Sequence, residues 1–460
     1  EMANIRNQDS WVHRDDPRSA TEKAKDLVRM AVAKVALLEP LSEIELPMNP
    51  ATLVLGGGIA GMVAARTLAQ QGYEVHLVER TPQLGGQANS LYRTWKGEDI
   101  GAYVTQLAGE VSAHPLIHLH LSTELADVKG FVGNFTSSLK PKGKEEIQVE
   151  HGVAVIATGA REYQPAEYLY GQDQRVVTQM ELDGRFLQGD PVLKELRSVA
   201  FIQCVGSRNG ARPYCSRVCC THSLRNALEL KRRNPDIAVH VLFRDMRTYG
   251  MREDLYRQAR QEGILFYRYD PEDPPRVDPG DRALELRLTD PILDLPIRIH
   301  ADLLVLATAV VAENNVAIAR FFKVPLGDDG FFQEAHAKLR PVDFSTDGVF
   351  LCGMAHYPKP LDESIAQAMA AASRAAGLLS AGRVNVSGTV AETDPALCAR
   401  CGVCISICPF KAPAFAERGH AEINPALCKG CGLCMASCRS GAIHLKGYDD
   451  SQIMAMINEI

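Results

Sequence analysis

The chain of 460 residues is 46% hydrophobic and 23% charged, with a formal net charge of -6 at pH 7. This is the composition of an ordinary globular protein, long enough for two to four domains with cores, and without a basic stripe it excludes nucleic-acid binding. No apolar run reaches the ~18 residues that suggest a membrane span; the nearest, ADLLVLATAVV at 301–311, reads as a buried strand.

The first residues, EMANIRNQDSWVHRDDPRS, are polar and charged, so a secretory signal is not expected, and the start at Glu1 rather than Met makes an upstream portion the expectation. Residues 21–38 are expected to form a packing helix, with Ala24, Leu27, Val28, Ala31, Val35 and Leu38 in one apolar stripe. Pro40, Pro47 and Pro50 then make a linker. Next, residues 51–55 (ATLVL) read as a buried strand, GGGIAG at 56–61 satisfies G-x-G-x-x-G, and residues 62–71 continue as a helix. A second strand, YEVHLV at 73–78, ends at Glu79. Glycines at this turn let backbone approach a pyrophosphate at a helix N-terminus, where free N–H groups and the dipole favour anions. Glu79 stands where a carboxylate accepts hydrogen bonds from a ribose hydroxyl pair.

After Glu79 the chain runs RTPQLGGQ. An acidic strand end followed by Gly85-Gly86 resembles the flavin disulfide-reductase superfamily, in which that turn passes the ribityl chain; the resemblance favours FAD over NAD. Residues 92–114 read as a helix, 117–121 as a strand and 129–150 as a surface hairpin. Strand 153–156 leads into Ala157-Thr158-Gly159, the turn by which this superfamily closes its flavin domain, and 301–306 leads into a second such turn, Ala307-Thr308-Ala309. Between them, about residues 161–300, a nicotinamide domain is expected by analogy.

That insert opens on Val199, Ala200, Phe201 and Ile202, and where a glycine fingerprint should follow it reads CVGSRNGARPYCSRVCC. Residues 223–232 read as a helix and AVHVLF at 238–243 as a strand, so the βαβ frame survives around a rewritten turn. Cys204, Cys215, Cys219 and Cys220 suggest an iron–sulfur cluster carrying single electrons where a relative accepts hydride. Structural zinc, which more often uses C-x₂₋₄-C knuckles, and free thiols stay as alternatives; a thioredoxin-type C-x-x-C pair is disfavoured by the three residues between Cys215 and Cys219.

TDGVFLCG at 346–353 reads as the second flavin stretch, with Met354 where the superfamily usually has Asp. Pro360 is expected in the first turn of a helix running through Ala375, whose N-terminal dipole would stabilise an anionic reduced flavin. Lys359 is the candidate catalytic residue, adding positive charge to raise the flavin potential, with a solvated lysine as the alternative. Cys352 reads as inert core. After a flexible stretch at 380–392, Cys398-x₂-Cys401-x₂-Cys404-x₃-Cys408-Pro409 is followed by Cys428-x₂-Cys431-x₂-Cys434-x₃-Cys438. This is the bacterial-ferredoxin spacing for two [4Fe–4S] clusters, in which the fourth cysteine of each run serves the other cluster. One site would be Cys398, Cys401, Cys404 and Cys438, the other Cys428, Cys431, Cys434 and Cys408, with Gly402 and Gly432 keeping the loops compact; Arg439 replaces the second proline. Clustered thiols without a signal peptide point to a reducing compartment, so a cytoplasmic protein is expected.

Through GGGIAGM, CVGSR with CSRVCC, DGVFLCGMAHYPKPLDESIAQA, SWVH, ATEKAKDLVRMAVAK and the cysteine-rich tail, the chain resembles the family of A-type subunits of heterodisulfide reductase. The resemblance implies an α/β thioredoxin-reductase-like, two-dinucleotide-domain flavoprotein core and a C-terminal two-cluster, bacterial-ferredoxin-like α+β domain. Expected segments are 1–49 (helix and linker), 50–160 (first flavin half), 161–300 (insert with a cluster), 301–385 (second flavin half) and 386–460 (ferredoxin domain). Expected FAD contacts are Gly56, Gly58, Ile59, Ala60, Gly61, Glu79, Arg80, Gly85, Gly86, Gln87, Ala157, Thr158, Gly159, Gly353, Met354, Lys359 and Ser364. FAD and three [4Fe–4S] clusters would pass electrons between a donor and low- or high-potential acceptors, with flavin-based bifurcation or confurcation in view. Implied partners are heterodisulfide reductase B- and C-type subunits, an electron-input module such as a hydrogenase or formate dehydrogenase, ferredoxin, and a second copy in a homodimer. The family's usual N-terminal domain, which carries a further cluster, is expected either upstream of Glu1 or as a separately encoded chain. The alternatives are an NAD(P)H-dependent subunit like that of glutamate synthase, or a non-catalytic electron conduit.

Overall fold

A computed structural model describes every residue except Ser42, Leu293 and Ser387, and every described side chain except those of Ile44 and Val386. The chain divides into two compact units: Met48–Gly382, and Glu1–Pro47 together with Arg383–Ile460. The N-terminal segment, expected to stand by itself, thus belongs with the tail.

In that smaller unit, α1 (Pro17–Val35) starts and stops earlier than the stripe suggested. Asp16 caps it by accepting from the Ser19 N–H at 3.1 Å, and Pro17 takes the first helical position, where no donor is needed. Two of the six stripe residues are unused: Val28 and Val35 are exposed, whereas Lys34 is buried, 3.0 Å from Glu1 and over the Tyr448 ring. The expected proline linker contains a strand, β1 (Ile44–Pro47), paired antiparallel with Arg383–Val386. Pro47 is tolerated because it ends a two-stranded edge.

The larger unit opens with β2 (Thr52–Leu55), α2 (Ile59–Gln70), β3 (Val75–Val78), α3 (Ile100–Ala113) and β4 (Ile117–His120). Helix α3 begins eight residues after the expected start at Tyr92. Asp99 is the reason: its side chain accepts from the Ala102 N–H at 2.9 Å and caps the helix there. The expected hairpin is a three-stranded antiparallel sheet, β5 (Thr123–Phe131), β6 (Asn134–Pro141) and β7 (Ile147–His151). Then come β8 (Val153–Ile156) and the short β9 (Ala160–Glu162).

The insert contains β10 (Val176–Thr178), α4 (Gln179–Gln188), β11 (Ser198–Val205), α5 (Cys219–Arg233), β12 (Ala238–Phe243), α6 (Glu253–Gln261), β13 (Leu265–Arg268), a meander of β14 (Arg276–Asp278), β15 (Leu284–Asp290) and β16 (Leu295–Ala301), and β17 (Leu303–Thr308). Its parallel sheet has the order β10-β17-β11-β12-β13. Strand β17, expected to open the second flavin half at 301, is therefore an inner strand of the insert. A fully buried apolar run reads alike in either sheet, so sequence alone does not assign its partners. The return follows on β18 (Val310–Ala312), antiparallel to β9, and continues through α7 (Val316–Phe322), β19 (Val349–Leu351) and α8 (Leu361–Leu379). The first parallel sheet is completed as β19-β8-β2-β3-β4, with α2 packed on α8.

Back in the smaller unit, the stretch expected to be flexible holds β20 (Arg383–Val386) and β21 (Ala391–Thr393); Ser387 of that stretch lies outside the described residues. The rest is two related halves: α9 (Val403–Ile407), β22 (Pro413–Phe415) and β23 (Ala421–Ile423), then α10 (Leu433–Ala436) and β24 (Ile443–Leu445). Helix α11 (Asp450–Ile457) packs on α1, and Gln452 donates to Leu37 O. Among the described residues no helix is long and apolar enough to cross a membrane. Asp99→Ala is expected to cost about 1 kcal/mol through loss of the α3 cap, seen as a lower urea midpoint with unchanged steepness.

Candidate functional site: a dinucleotide cradle and three sets of thiols

Strand β2 delivers the chain to a turn that only glycine can make. At Gly56 (φ +104°) a Cβ would lie 2.4 Å from Ala157 O, and at Gly61 it would lie 1.8 Å from Gly56 O. At Gly58 it would meet nothing within 4 Å, so this glycine faces open space at the start of α2, whose first turn has no side-chain cap. Bare N–H groups beside open space are what a pyrophosphate requires. Glu79 is buried; one carboxylate oxygen accepts from Gly57 N–H at 2.6 Å, the other from Thr81 N–H and Oγ1 at 2.8 Å. It holds the loop closed, and each oxygen keeps a second lone pair for a ligand hydroxyl.

The other expected contacts gather on this cradle to different degrees. Gly85 N–H donates to Gly57 O, and Gly86 packs on Gly58. Gln87 reaches Ala160 O, whereas Arg80 is committed to Glu313. Thr158 bonds Asn315 at 3.1 Å, and Gly159 turns at φ +73°. Gly353, at φ +67°, comes so close to Ala60 that a Cβ would lie 2.7 Å from that side chain. Met354 is half-buried beside it, and Ser364 is buried in the first turn of α8. Pro360 is the N-cap of α8 rather than a first-turn residue, and the helix runs on to Leu379.

Lys359 is not solvated: it is 3% exposed, donates to Gly353 O at 2.5 Å and lies 3.8 Å above the Tyr357 ring. Burial brings its pKa down to about 7, with Cys352 opposing and Arg217 assisting. Cys352 itself is core, its thiol pushed up to about 12 by burial. Sequence reading missed the neighbouring His356, whose ring bonds Glu334 at 2.8 Å and Gln367 at 2.7 Å. No local pattern announces a hydrogen-bonded triad drawn from three segments around one buried histidine.

In the smaller unit Cys398, Cys401, Cys404 and Cys438 line one cavity, and Cys408, Cys428, Cys431 and Cys434 line another. Each set takes three cysteines from one run and the last from the other. Gly402 and Gly432, both left-handed, are the N-caps of α9 and α10. Backbone N–H groups of Ala421 and Ala391 point to Cys398 Sγ and Cys428 Sγ at 3.5 and 3.4 Å.

The insert's thiols sit where β11 should hand over to a glycine turn. Cys204 takes φ +62° at a register shift in β11, and the bulge re-aims its side chain. Cys219 and Cys220 open α5. Cys204, Cys219 and Cys220 are buried, and Cys215 is half-buried. The Cys219 thiol is pushed up by its hydrogen bond with Cys220, by burial, and by the Cys204 and Cys215 sulfurs, so the four share one neighbourhood. Arg217 N–H lies 3.3 Å from Cys215 Sγ, and Arg208 lies 3.8 Å from Cys204 Sγ. The old phosphate turn is filled: a Cβ on Gly206 would lie 2.2 Å from the Tyr163 ring, which Arg212 covers at 4.2 Å. Among the described residues no three His, Cys, Asp or Glu side chains are grouped to hold a single ion.

Two outcomes follow from this geometry. Gly58→Ala is expected to keep the fold by circular dichroism yet purify with less than half the wild-type content of bound dinucleotide, whereas Gly61→Ala is expected to lose the fold locally and the dinucleotide entirely. For Lys359, the unfolded chain binds more protons than the folded one between pH 7 and 10.5, so its burial costs stability below that window and the cost fades as pH rises. Lys359→Met is expected to raise the urea midpoint at pH 6.5, with an upper bound of about 5 kcal/mol, and to leave it nearly unchanged at pH 10.

Residues 54–104 match the family described as NAD(P)-binding Rossmann-like domain, and residues 421–444 match that described as 4Fe-4S binding domain. The chain is 35% identical to the A-type subunit of H(2):CoB-CoM heterodisulfide,ferredoxin reductase from Methanothermobacter thermautotrophicus, over 92% of this chain and 78% of that protein. It is 31% identical to the A-type iron-sulfur subunit of CoB–CoM heterodisulfide reductase from Methanocaldococcus jannaschii, over 100% and 84%. Thioredoxin reductase of Lactococcus lactis in its FR conformation superposes with a TM-score of 0.51 at 15% identity, covering 72% of this chain and 99% of that one, which establishes the fold. The chain belongs to the family of A-type heterodisulfide reductase subunits, oxidoreductase components built on a thioredoxin-reductase-like core with a ferredoxin-like domain.

Proposed function

We propose that this chain is the FAD- and iron–sulfur-bearing electron-transfer subunit of a heterodisulfide-reductase-like complex, with three [4Fe–4S] clusters. The observation that carries the reading is the cross-pairing of the two tail runs around two four-thiol cavities. Four thiolates per cavity, with backbone N–H groups aimed at the sulfurs, are the donor set such clusters take. Cys204, Cys215, Cys219 and Cys220 would hold the third. Bound FAD supplies a centre that takes electrons in pairs and releases them singly. The protein's part is position and charge: the start of α2 and Gly58 would hold the pyrophosphate, Glu79 the ribose, and Gly353 and Ser364 would also line the flavin site. Lys359, when protonated, would add positive charge to the flavin site and favour the reduced form.

The partners in this reading are B- and C-type subunits, an electron-input module of hydrogenase or formate dehydrogenase type, ferredoxin and a second copy of the chain. Bifurcation or confurcation is the mode that a flavin between unlike acceptors serves. A cytoplasmic location fits thiols kept reduced. The pyridine-nucleotide reading is disfavoured by the Tyr163 ring against Gly206, where a phosphate would have to pass.

Metal and flavin analysis of the anaerobically purified chain is expected to give about twelve iron atoms, from three four-iron clusters, and one FAD. About eight iron atoms with zinc would remove the mid-chain cluster. Rapid bleaching of the flavin by NADH or NADPH would favour the nicotinamide reading, and a flavin that dithionite does not reduce would favour a passive conduit.

A further inference from the structure

We propose that Arg217, Tyr249 and Arg252 are positioning residues that clamp the thiol loop of the insert onto the first turn of α8, fixing the span between the mid-chain thiols and the flavin cradle. This rests on the reading that those thiols and the flavin exchange electrons. The chain passes between the first sheet and the insert only at β9 and β18, a two-stranded pair three residues long. Such a narrow joint leaves the orientation of a five-stranded body to its side-chain contacts.

The clamp supplies one. Arg252, its side chain 9% exposed, donates to both Asp362 oxygens at 2.8 Å and reaches Glu363 at 3.5 Å. Arg217 donates to Glu363 Oε2 at 3.1 Å, and the Tyr249 hydroxyl donates to Glu363 Oε1. The Tyr249 ring carries both guanidiniums, Arg252 at 4.8 Å and Arg217 at 5.2 Å. Asp362 and Glu363 already suit a helix N-terminus, so capping needs no cations. Three donors from two separate insert segments converge on them all the same.

Arg217 ties this clamp to the redox groups. It is held at φ +59°, a conformation a non-glycine residue adopts at a cost. There its backbone N–H meets Cys215 Sγ while its guanidinium reaches Pro358 O at 3.5 Å, one residue before Lys359. One residue therefore spans from a thiol to the segment entering α8. A second seam, Tyr92 against Asp183 and Glu229, touches α4 and α5 but no thiol.

The test uses the full chain with its cofactors and spin labels introduced through unnatural amino acids at Val192 in the insert and Leu339 in the flavin half, both exposed. Wild type is expected to give one narrow distance. Asp362→Asn with Glu363→Gln is expected to broaden it and to slow mid-chain cluster reduction after flavin reduction at least tenfold in freeze-quench spectra. Asp362→Glu, which keeps a carboxylate in reach of Arg252, restores both. Tyr249→Phe, which keeps the ring, is the milder probe if the double variant does not fold, with a measurable intermediate broadening expected. An unchanged narrow distance in the double variant, or in Tyr249→Phe where that alone folds, would overturn the clamp and leave the Tyr92 seam as the fixing contact. Iron content separates the two readings: loss of the mid-chain cluster in wild type sinks the electron route, while the distance still decides the clamp.

Discussion

The larger unit depends on one close backbone approach. Gly61 brings α2 against Gly56 O, and a single methyl group there would stand 1.8 Å from that oxygen. The contact sets the angle at which α2 leaves β2, and with it the direction of the N–H groups in the first turn of α2. Gly56 in turn packs on Ala157 O, so the end of β8 shares the same constraint. Glu79 locks the arrangement from β3 by holding Gly57 N–H. Three strands, one helix and a carboxylate thus define an anion site before any ligand is considered.

The insert repeats that frame with the constraint removed. Strand β11 and helix α5 stand as β2 and α2 do, with a parallel β12 beside them. Yet residues 206–218 intervene before α5 begins, and the end of the strand is bent by a left-handed cysteine, Cys204. Lengthening the connection moves the helix start away from the strand end, so the tight phosphate turn is lost. The space gained is lined by sulfur, arginine and tyrosine. The same topology supports either an anion cradle or a thiol cage, and the length of one turn chooses between them.

What the sequence made legible was local. G-x-G-x-x-G between a strand and a helix, and cysteines three or four residues apart, are short-range patterns whose chemistry does not depend on distant partners. What it hid was pairing. Leu303–Thr308 is all buried and could sit in either sheet; Ile44–Pro47 finds its partner more than three hundred residues away, and its proline argued for a linker. Helix α3 was overextended because Tyr92 and Trp95, which pack on the insert's core, have the apolar look of helix positions. Arg217, Tyr249 and Arg252 reach carboxylates 146, 114 and 110 residues away, beyond any periodicity.

The buried lysine brings these levels together. Keeping an ammonium at 3% exposure is costly unless something negative meets it. Among the described residues no carboxylate pairs with Lys359: Glu334 is taken by His356, and Glu363 by Arg217, Tyr249 and Arg252. The carbonyl of Gly353 and the face of Tyr357 satisfy donors but bring no charge. Burial and the Arg217 cation work against the ammonium, while Cys352, Glu363 and Glu334 favour it from beyond ion-pair distance. In the proposed reading, a flavin that becomes anionic on reduction would be favoured by a charged Lys359, with the dipole at the start of α8 acting in the same direction.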